Sequence, residues 1–339
     1  MPMLCPDSPV RLAEALRTAA DERRAIRMGG NFSKDRLGGL PSLADITVST
    51  HAMNRLLQYD PRDLTISVQA GMAWADLERT LAGNHQMLPL DPGWVRESTV
   101  GGVVAANLSG PRRRVYGTAR DMIIGMTFAT LEGKLINSGG MVVKNVAGLD
   151  MAKLMIGSFG TLAGIAVVNF KVVPVPPESR TFVTEFETAA DAFAQRDRIL
   201  ASPLQPVAID IVNWPSRFRL LVRAAGNSRV VSRYAKEFPL AKEAPDSVWD
   251  EIREFSPRFL ARHPNGSVVP IPCKLTEMSS LVDRLDLPFI ARAGSGVIYA
   301  HYANDAPRID LSDSGMMTKV KEMFDPGHLL NRGRLYGHI

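Results

Sequence analysis

Cysteine is scarce in this chain of 339 residues, which contains only Cys5 and Cys273. Two cysteines cannot form a disulfide framework, and they cannot supply the four thiolates that an iron–sulfur cluster needs. The six histidines show no spacing typical of metal ligands, so we predict no metal site. The low cysteine content, together with the absence of a secretory leader at the N-terminus, predicts a cytoplasmic protein.

Long hydrophobic runs are also missing. One uncharged stretch, Leu154–Phe170, is shorter than the roughly 20 residues that span a bilayer, and glycine, serine and threonine interrupt it. We therefore predict a buried loop and strand there, and no transmembrane segment. No run of lysine and arginine with interleaved aromatic residues is present, which argues against nucleic-acid binding. The formal charge of +5 favours anionic ligands or partners only weakly.

Two common nucleotide-binding motifs are absent, because the chain has neither a P-loop nor a Gly-x-Gly-x-x-Gly fingerprint. Glycine is instead concentrated in clusters at Ser98–Gly110, Tyr116–Asp121, Gly139–Gly148 and Gly157–Gly164. Glycine destabilises regular structure because it loses the most backbone entropy on folding. Each cluster alone could serve tight turns or close strand packing. Together, in apolar surroundings, they favour backbone that lies against a ligand.

A further glycine motif lies near the N-terminus. Ala25–Met28 has the pattern of a short strand, and Gly29, Gly30 and Asn31 follow it. Such a turn can present a nest of backbone N–H groups to an anion. Taken by itself, the motif fits a plain turn about as well.

The order of these motifs resembles the FAD-binding domain of the vanillyl-alcohol oxidase, or PCMH-type, flavoproteins. Thr99–Ala105 is similar to their Thr-x-Gly-Gly-x-x-Ala segment, Gly117–Asp121 to Gly-x-x-x-Asp, and Gly157–Gly164 to Gly-Ser-x-Gly-Thr-Leu-x-Gly. Within this superfamily, Leu108–Arg113 and Lys144–Asp150 resemble the FAD-binding subunit of glycolate oxidase most.

The resemblance implies that FAD is bound without a covalent link. Phe32 stands where some members carry a histidine bonded to the flavin, and phenylalanine cannot form that bond. Asn331 matches an asparagine near the flavin ring, although Arg332 replaces the proline that follows it in the family. The residues implied in FAD binding are Gly29, Gly30, Asn31, Phe32, Ser33, Pro92, Thr99, Gly101, Gly102, Ala105, Ser109, Gly110, Arg120, Asp121, Lys144, Asn145, Gly148, Gly157, Gly160, Thr161, Gly164, Ile165 and Asn331.

The implied fold is α+β. Residues 1–177 would form a two-subdomain PCMH-type FAD-binding domain, residues 178–311 a smaller α+β cap domain on an antiparallel sheet, and residues 312–339 a return to the FAD domain. A proline cluster after the predicted strand Ile165–Val173 marks the first boundary. Periodicity and turn residues predict helices from Ser8 and over Thr188–Ala201, and a hairpin turn at Glu132–Gly133.

Oxidation of a 2-hydroxy acid needs a base for the hydroxyl proton and a cation for the carboxylate. His301 is a candidate base, although a solitary histidine at a strand end is more often structural. Arg112 and Arg113 directly follow a glycine loop and are candidates for a carboxylate clamp. A solvated charge run is the alternative for Arg112–Arg114.

The resemblance thus predicts an FAD-binding oxidoreductase subunit of a glycolate-oxidase-like complex, which passes electrons from a 2-hydroxy acid through FAD to a partner. The implied partners are a second flavoprotein subunit and an iron–sulfur subunit, and a partner could attach the complex to a membrane. Two alternatives stay open. One is a stand-alone dehydrogenase of a hydroxy acid or sugar alcohol, and the other is a flavin-carrying subunit without substrate turnover.

Overall fold

The computed structural model describes residues 2–141, 150–214, 217–238, 241–304 and 314–337. Within these ranges the strands are β1 (Met3–Leu4), β2 (Ile26–Gly29), β3 (Ile46–Ser49), β4 (Leu56–Asp60), β5 (Thr65–Gln69), β6 (Gln86–Met87), β7 (Ile123–Ala129), β8 (Leu135–Gly139), β9 (Gly164–Lys171), β10 (Val173–Pro174), β11 (Glu178–Phe186), β12 (Ala208–Val212), β13 (Phe218–Gly226), β14 (Lys242–Ala244), β15 (Ser267–Pro272), β16 (Phe289–Arg292) and β17 (Val297–Tyr302).

The helices in the same ranges are α1 (Pro9–Asp21), α2 (Trp74–Ala82), α3 (Val100–Ala105), α4 (Arg113–Tyr116), α5 (Ala119–Met122), α6 (Ala152–Met155), α7 (Ala189–Ala201), α8 (Ser228–Glu237), α9 (Ser247–Arg253), α10 (Phe255–Arg262), α11 (Met278–Val282) and α12 (Ser314–Phe324). None of them is long and apolar enough to cross a membrane.

Two sheets organise the first half of the chain. β1, β3 and β2 form a small parallel sheet, and β4, β5, β9, β7 and β8 form an antiparallel sheet in that order. Helix α1 begins where predicted, because the Ser8 side chain accepts a hydrogen bond from the N–H of Arg11. Its buried residues Leu12 and Leu16 belong to the core that joins both sheets. The predicted turn at Gly133, with φ of 77°, joins β7 to β8.

A seven-stranded antiparallel sheet organises the second half, in the order β14, β11, β13, β12, β16, β17 and β15. One face packs against α7, α8 and α11, and the other face packs against α9. The predicted helix α7 forms, with Thr188 as its N-cap. The α9–α10 junction reaches the first half of the chain, where Glu254 accepts a hydrogen bond from the N–H of Val95 at 3.0 Å.

The C-terminal segment returns to the first half. Lys321 in α12 donates a hydrogen bond to the carbonyl of Thr161, and Leu330 forms a bridge with Ile26 beside β2. The α+β architecture with an antiparallel second sheet confirms the predicted fold class. The stretch Leu154–Phe170 contains the end of α6, a loop and most of β9, whose centre is buried.

Candidate cofactor site

A cleft lies at the C-terminal end of β2, where the first glycine motif meets α3. We call it the glycine cleft, and its empty volume is about 630 Å³. The cleft is lined by residues of the segments Met28–Asp35, Thr99–Ala106 and Phe159–Ile165, together with Thr50 and Arg334.

The loop after β2 presents free hydrogen-bond donors to the glycine cleft. Within the described part of the chain, the backbone N–H groups of residues 30–33 donate to no other residue. Phe32 has φ of 53°, and the guanidinium carbon of Arg27 lies 4.5 Å from the centre of its ring. Successive free N–H groups on a turn form a concave anion site. The motif at Gly29–Asn31 therefore provides what an anion requires.

Glycine is needed where this loop meets α3. A Cβ atom at Gly30 would overlap Thr99, whose Oγ1 accepts a hydrogen bond from the N–H of Gly102 and caps the helix. A Cβ atom at Gly101 would come within 2.8 Å of the Ala70 Cβ on the other side. Glycine at position 30 lets the loop pack against the start of α3, and glycine at position 101 lets α3 pack against Ala70. Packing within the protein therefore explains part of the motif.

Lys34 brings a buried amino group to the glycine cleft. Its side chain is 7% exposed, and Nζ donates to Ser33 Oγ at 2.9 Å and to Ser98 Oγ at 2.6 Å. A lysine ammonium has three N–H groups, so one remains for a ligand. Burial lowers the pKa of Lys34 to about 7, although Glu97 and Glu254 raise it in part. An anion in the cleft would favour the charged form.

Phe159 and Gly160 form the opposite wall, and the C-terminal tail holds them in place. Asn331 Nδ2 donates to the carbonyl oxygens of Phe159 at 2.7 Å and Met28 at 2.9 Å, while Asn331 Oδ1 accepts from the N–H of Met28 at 2.7 Å. Gly160 has φ of 69°, and a Cβ atom there would lie 2.8 Å from Asn331 Nδ2. One buried amide thus fixes β2 against the loop that contains Gly160.

Arg334 holds the chain segment that follows Lys34. Its Nη1 lies within 3.3 Å of the carbonyl oxygens of Lys34, Asp35, Leu37 and Gly39. Its Nη2 lies 2.9 Å from Asp35 Oδ1. Arg334 therefore fixes the shape of this loop, and Lys34 supplies a cation beside it.

About half of the predicted FAD-binding residues line the glycine cleft. These are Gly29, Gly30, Asn31, Phe32, Ser33, Thr99, Gly101, Gly102, Ala105, Gly160 and Ile165. The predicted residues outside its lining are Pro92, Ser109, Gly110, Arg120, Asp121, Gly157, Thr161, Gly164 and Asn331. Lys144, Asn145 and Gly148 lie outside the described residues.

Several predicted residues outside the cleft serve local structure. Asp121 forms a capping box with Thr118 at the start of α5. The carbonyl of Arg120 accepts a hydrogen bond from Lys153, and the carbonyl of Pro92 accepts one from Arg253 Nε. Their role in FAD binding stays a prediction.

Sequence reasoning missed four polar residues of the cleft: Lys34, Asp35, Thr50 and Arg334. Lys34 carried a local signal, because it is a cation directly after the glycine motif and Ser33. Arg334 carried none, since the carbonyl groups it holds are about 300 residues away in sequence.

His301 lies in β17, and its side chain is fully buried. Its Nδ1 is 3.2 Å from the carbonyl oxygen of Pro288, and its Nε2 is 2.8 Å from Ser256 Oγ. Burial lowers the pKa of His301 to about 4, so the ring is neutral near pH 7. A fully buried ring reaches no substrate directly. The catalytic role of His301 stays a prediction.

Arg112 and Arg113 lie at the start of α4 and are not part of the lining of the glycine cleft. Arg112 Nη1 donates to Asp91 Oδ1 at 2.6 Å, and Arg113 is half-buried. Arg112 also lines a separate polar cavity together with Arg223 and Arg253. Since Asp91 already engages one nitrogen of Arg112, a clamp would use the remaining N–H groups of that guanidinium. The clamp stays a prediction.

Residues 3–139 match the FAD binding domain family. The match confirms an FAD binding domain in the part of the chain where the glycine motifs predicted one.

Among characterised relatives, glycolate oxidase subunit GlcE of Escherichia coli (strain K12) is 28% identical over 348 residues, which cover 97% of each chain. Glycolate oxidase subunit GlcD of Bacillus subtilis (strain 168) is 28% identical over 63% of this chain and 46% of GlcD. D-lactate dehydrogenase of Anaerostipes hadrus is 32% identical over 52% of this chain and 37% of that enzyme. The chain is thus an FAD-linked oxidoreductase related to these proteins, and it spans less than half of the latter two.

Solved structures show the same fold. An alkyldihydroxyacetonephosphate synthase superposes with a TM-score of 0.77 over 97% of this chain and 76% of its own, at 18% identity. The 4-ethylphenol oxidase from Gulosibacter chungangensis superposes with a TM-score of 0.73 over 98% of this chain and 88% of its own, at 14% identity. At such identities the likeness establishes the fold alone.

The glycine cleft fits the diphosphate of FAD. Free N–H groups on residues 30–33 and the remaining N–H of Lys34 are donors, and a diphosphate offers only acceptors at neutral pH. Glycine at position 30 lets this donor loop approach Thr99 at the start of α3.

Proposed function

We propose that this chain is the FAD-binding subunit of a glycolate-oxidase-like complex that oxidises a small 2-hydroxy acid. The observation that carries the proposal is the similarity to GlcE, which extends over 97% of both chains and includes the glycine cleft. When bound, FAD would accept the electrons from the CH–OH group of the substrate. The protein's contribution is to bind the cofactor, orient it and exclude water.

The residues of the glycine cleft have separate tasks in this proposal. The N–H groups of residues 30–33 and the Lys34 ammonium bind the diphosphate. Asn331 and Arg334 keep the surrounding loops in register. Phe32 holds the position at which a covalent link would require histidine, so the cofactor is released intact when the protein unfolds.

We also propose that the chain divides at about residues 177 and 311, and that the seven-stranded sheet belongs to a cap over the substrate. The sheet contains β11 to β17, and contacts such as Glu254 with Val95 join its helices to the first half of the chain. Electrons would leave through partner subunits, because two cysteines cannot hold a four-cysteine cluster.

Anaerobic mixing of the FAD-loaded protein with glycolate or D-lactate, followed by flavin absorbance, tests the activity. We expect bleaching to be much faster in the complex purified from the native source than in the isolated chain. Enzyme-like turnover by the isolated chain, a few to hundreds per second, would favour a stand-alone dehydrogenase instead. Absence of bleaching in both preparations would favour a flavin-carrying subunit without substrate turnover.

A further inference from the structure

A short segment, Ser33–Leu37, leads from the glycine cleft to the second half of the chain. We call it the linking segment. Ser33, Lys34 and Asp35 line the cleft, whereas Arg36 and Leu37 are not part of its lining. The latter two contact α10 and β15 instead. The proposed diphosphate site and the second half of the chain are therefore only a few residues apart along the backbone.

Arg36 binds the C-terminal end of α10. Its Nη2 donates to the carbonyl oxygen of Leu260 at 2.6 Å, and its Nη1 donates to those of His263 at 2.8 Å and Pro264 at 3.0 Å. The last carbonyl groups of a helix have no partner within the helix, and the helix dipole favours a cation beside them. One side chain thus fixes the end of α10 to the linking segment.

Leu37 adds an apolar contact to this connection. It is buried, forms a bridge with Val268 in β15, and belongs to an apolar cluster that includes Phe259 of α10. Phe159, which lines the glycine cleft, packs against the same cluster. The cleft and α10 are therefore joined by apolar packing as well as by Arg36.

The other end of α10 is held without the linking segment. Arg253 Nη2 donates to Glu78 Oε1 at 2.7 Å, and Glu254 accepts a hydrogen bond from the N–H of Val95 at 3.0 Å. Both contacts join the α9–α10 junction to the first half of the chain. The C-terminal end of α10 is thus the part of this helix whose position depends on the linking segment.

An anion in the glycine cleft would restrain the linking segment at its start. The backbone N–H of Ser33 donates to no described residue, and Lys34 Nζ has one N–H left after its hydrogen bonds to Ser33 and Ser98. A diphosphate that accepts from both groups would reduce the freedom of the backbone there. Because Arg36 is two residues further on, this restraint extends to the helix that Arg36 holds.

We propose that FAD in the glycine cleft restrains the C-terminal end of α10 through the linking segment, with Arg36 as the positioning residue. This inference rests on the FAD site of the proposed function and adds a consequence of its occupation. The Phe259 ring of α10 meets the His301 ring edge to face, with centroids 5.2 Å apart. The surroundings of His301 are therefore completed only when the cofactor is bound.

Hydrogen–deuterium exchange of the full chain, with and without FAD, tests the proposal. We expect the backbone amides of Phe259–Arg262 to exchange at least about fivefold more slowly in the FAD-loaded protein, the lower end of typical coupling between two sites. Helix α7 lies on the opposite face of the seven-stranded sheet from α9 and is the internal control. Its exchange should not depend on FAD.

Arg36→Met keeps a long side chain but removes every donor to α10. In this variant the ratio of the exchange rates without and with FAD should fall to about one. Coupling between two sites is reciprocal, so the Kd for FAD should rise by about the factor that the exchange ratio loses, although Arg36 does not line the cleft. Arg62→Met, at an exposed position between β4 and β5, is the matched control and should change neither quantity.

Four outcomes would count against the proposal. If FAD binds and the exchange of α10 stays the same, the coupling is absent, although the proposed function survives. Equal slowing of α7 and α10 would show general stabilisation by a bound ligand instead. If Arg36→Met accelerates α10 by the same factor with and without FAD, Arg36 has a structural role alone. If the protein binds no FAD, the proposed function fails, and this inference fails with it.

Discussion

Lys34 places an amino group beside the proposed diphosphate site, and the charge of this group changes with pH near neutrality. In the free cleft its pKa is lowered to about 7, chiefly by burial, with Glu97 and Glu254 opposing the effect. A bound diphosphate would raise this pKa, so binding would take up a proton. Affinity should therefore be full below pH 7 and decline as the pH rises through 7 toward the pKa of the complex.

We expect the Kd for FAD to increase by up to about tenfold per pH unit above pH 7, because the free form must gain a proton. Fluorescence titration of the apoprotein between pH 6 and pH 9 measures it. Lys34→Met should bind FAD more weakly and with no pH dependence in this range. Lys134→Met, at an exposed position paired with Glu132, is the control. A pH-independent Kd in the unmutated protein would rule out the linkage.

Sequence reasoning works at the residue scale where the signal is local. The motif from Gly29 to Ser33 follows from turn chemistry, and the structure places it in one cleft with Thr99. Arg334 and the Ser256–His301 pair could not be predicted this way. Their roles depend on contacts between residues far apart in sequence.

At the scale of elements, the C-terminal helix α12 ties the tail to the cofactor loops. Lys321 and Asp325 are almost completely buried and form an ion pair at 2.5 Å. Lys321 also donates to the carbonyls of Thr161 and Leu330, and Asp325 accepts from the N–H groups of Leu329 and Leu330. The pair thus sets the path of the chain into Asn331.

Lys321→Met should destabilise the protein by about 3–5 kcal/mol, because it leaves the Asp325 charge buried without its partner. Urea denaturation followed by fluorescence measures the free energy of unfolding. Lys319→Met, at an exposed position of the same helix, should stay within about 0.5 kcal/mol of the unmutated protein. Equal effects of the two substitutions would show that the buried pair does not stabilise the tail.

Elements with a cap and a clear apolar period were predictable, whereas α3 was not. Thr188 and the spacing of apolar residues indicated α7, and the helix begins there. Helix α3 runs through Gly101 and Gly102, which have low helix propensity. Thr99 caps this helix through the N–H of Gly102. Glycine is required at position 101 because a larger residue would collide with Ala70.

At the scale of the whole molecule, the chain has too few cysteines to hold a four-cysteine iron–sulfur cluster. We expect the purified chain to contain no stoichiometric iron, and chelation with EDTA to leave FAD binding unchanged. In the described residues no group of histidine, cysteine, aspartate and glutamate side chains is arranged to hold a metal ion. Metal analysis of the isolated chain and of the native complex checks this. Iron in the isolated chain at one or more atoms per molecule would contradict the account.

The overall architecture was predictable because glycine motifs in a fixed order indicate the superfamily, and the superfamily has a characteristic fold. The residues that bind the substrate were harder to predict from the sequence. Ser109 from the first half and Ser256 and Arg292 from the second line one cavity, and no sequence spacing relates these three residues.

The central claim is that the chain binds one FAD without a covalent bond, and acid precipitation after a titration tests it most directly. Apoprotein titrated with FAD should saturate at one equivalent, because one glycine cleft supplies the donors for the diphosphate. Precipitation in acid should then release all flavin into the supernatant, since Phe32 cannot form the covalent link. Flavin retained in the precipitate would contradict the non-covalent site, and failure to saturate with FAD would contradict the account as a whole.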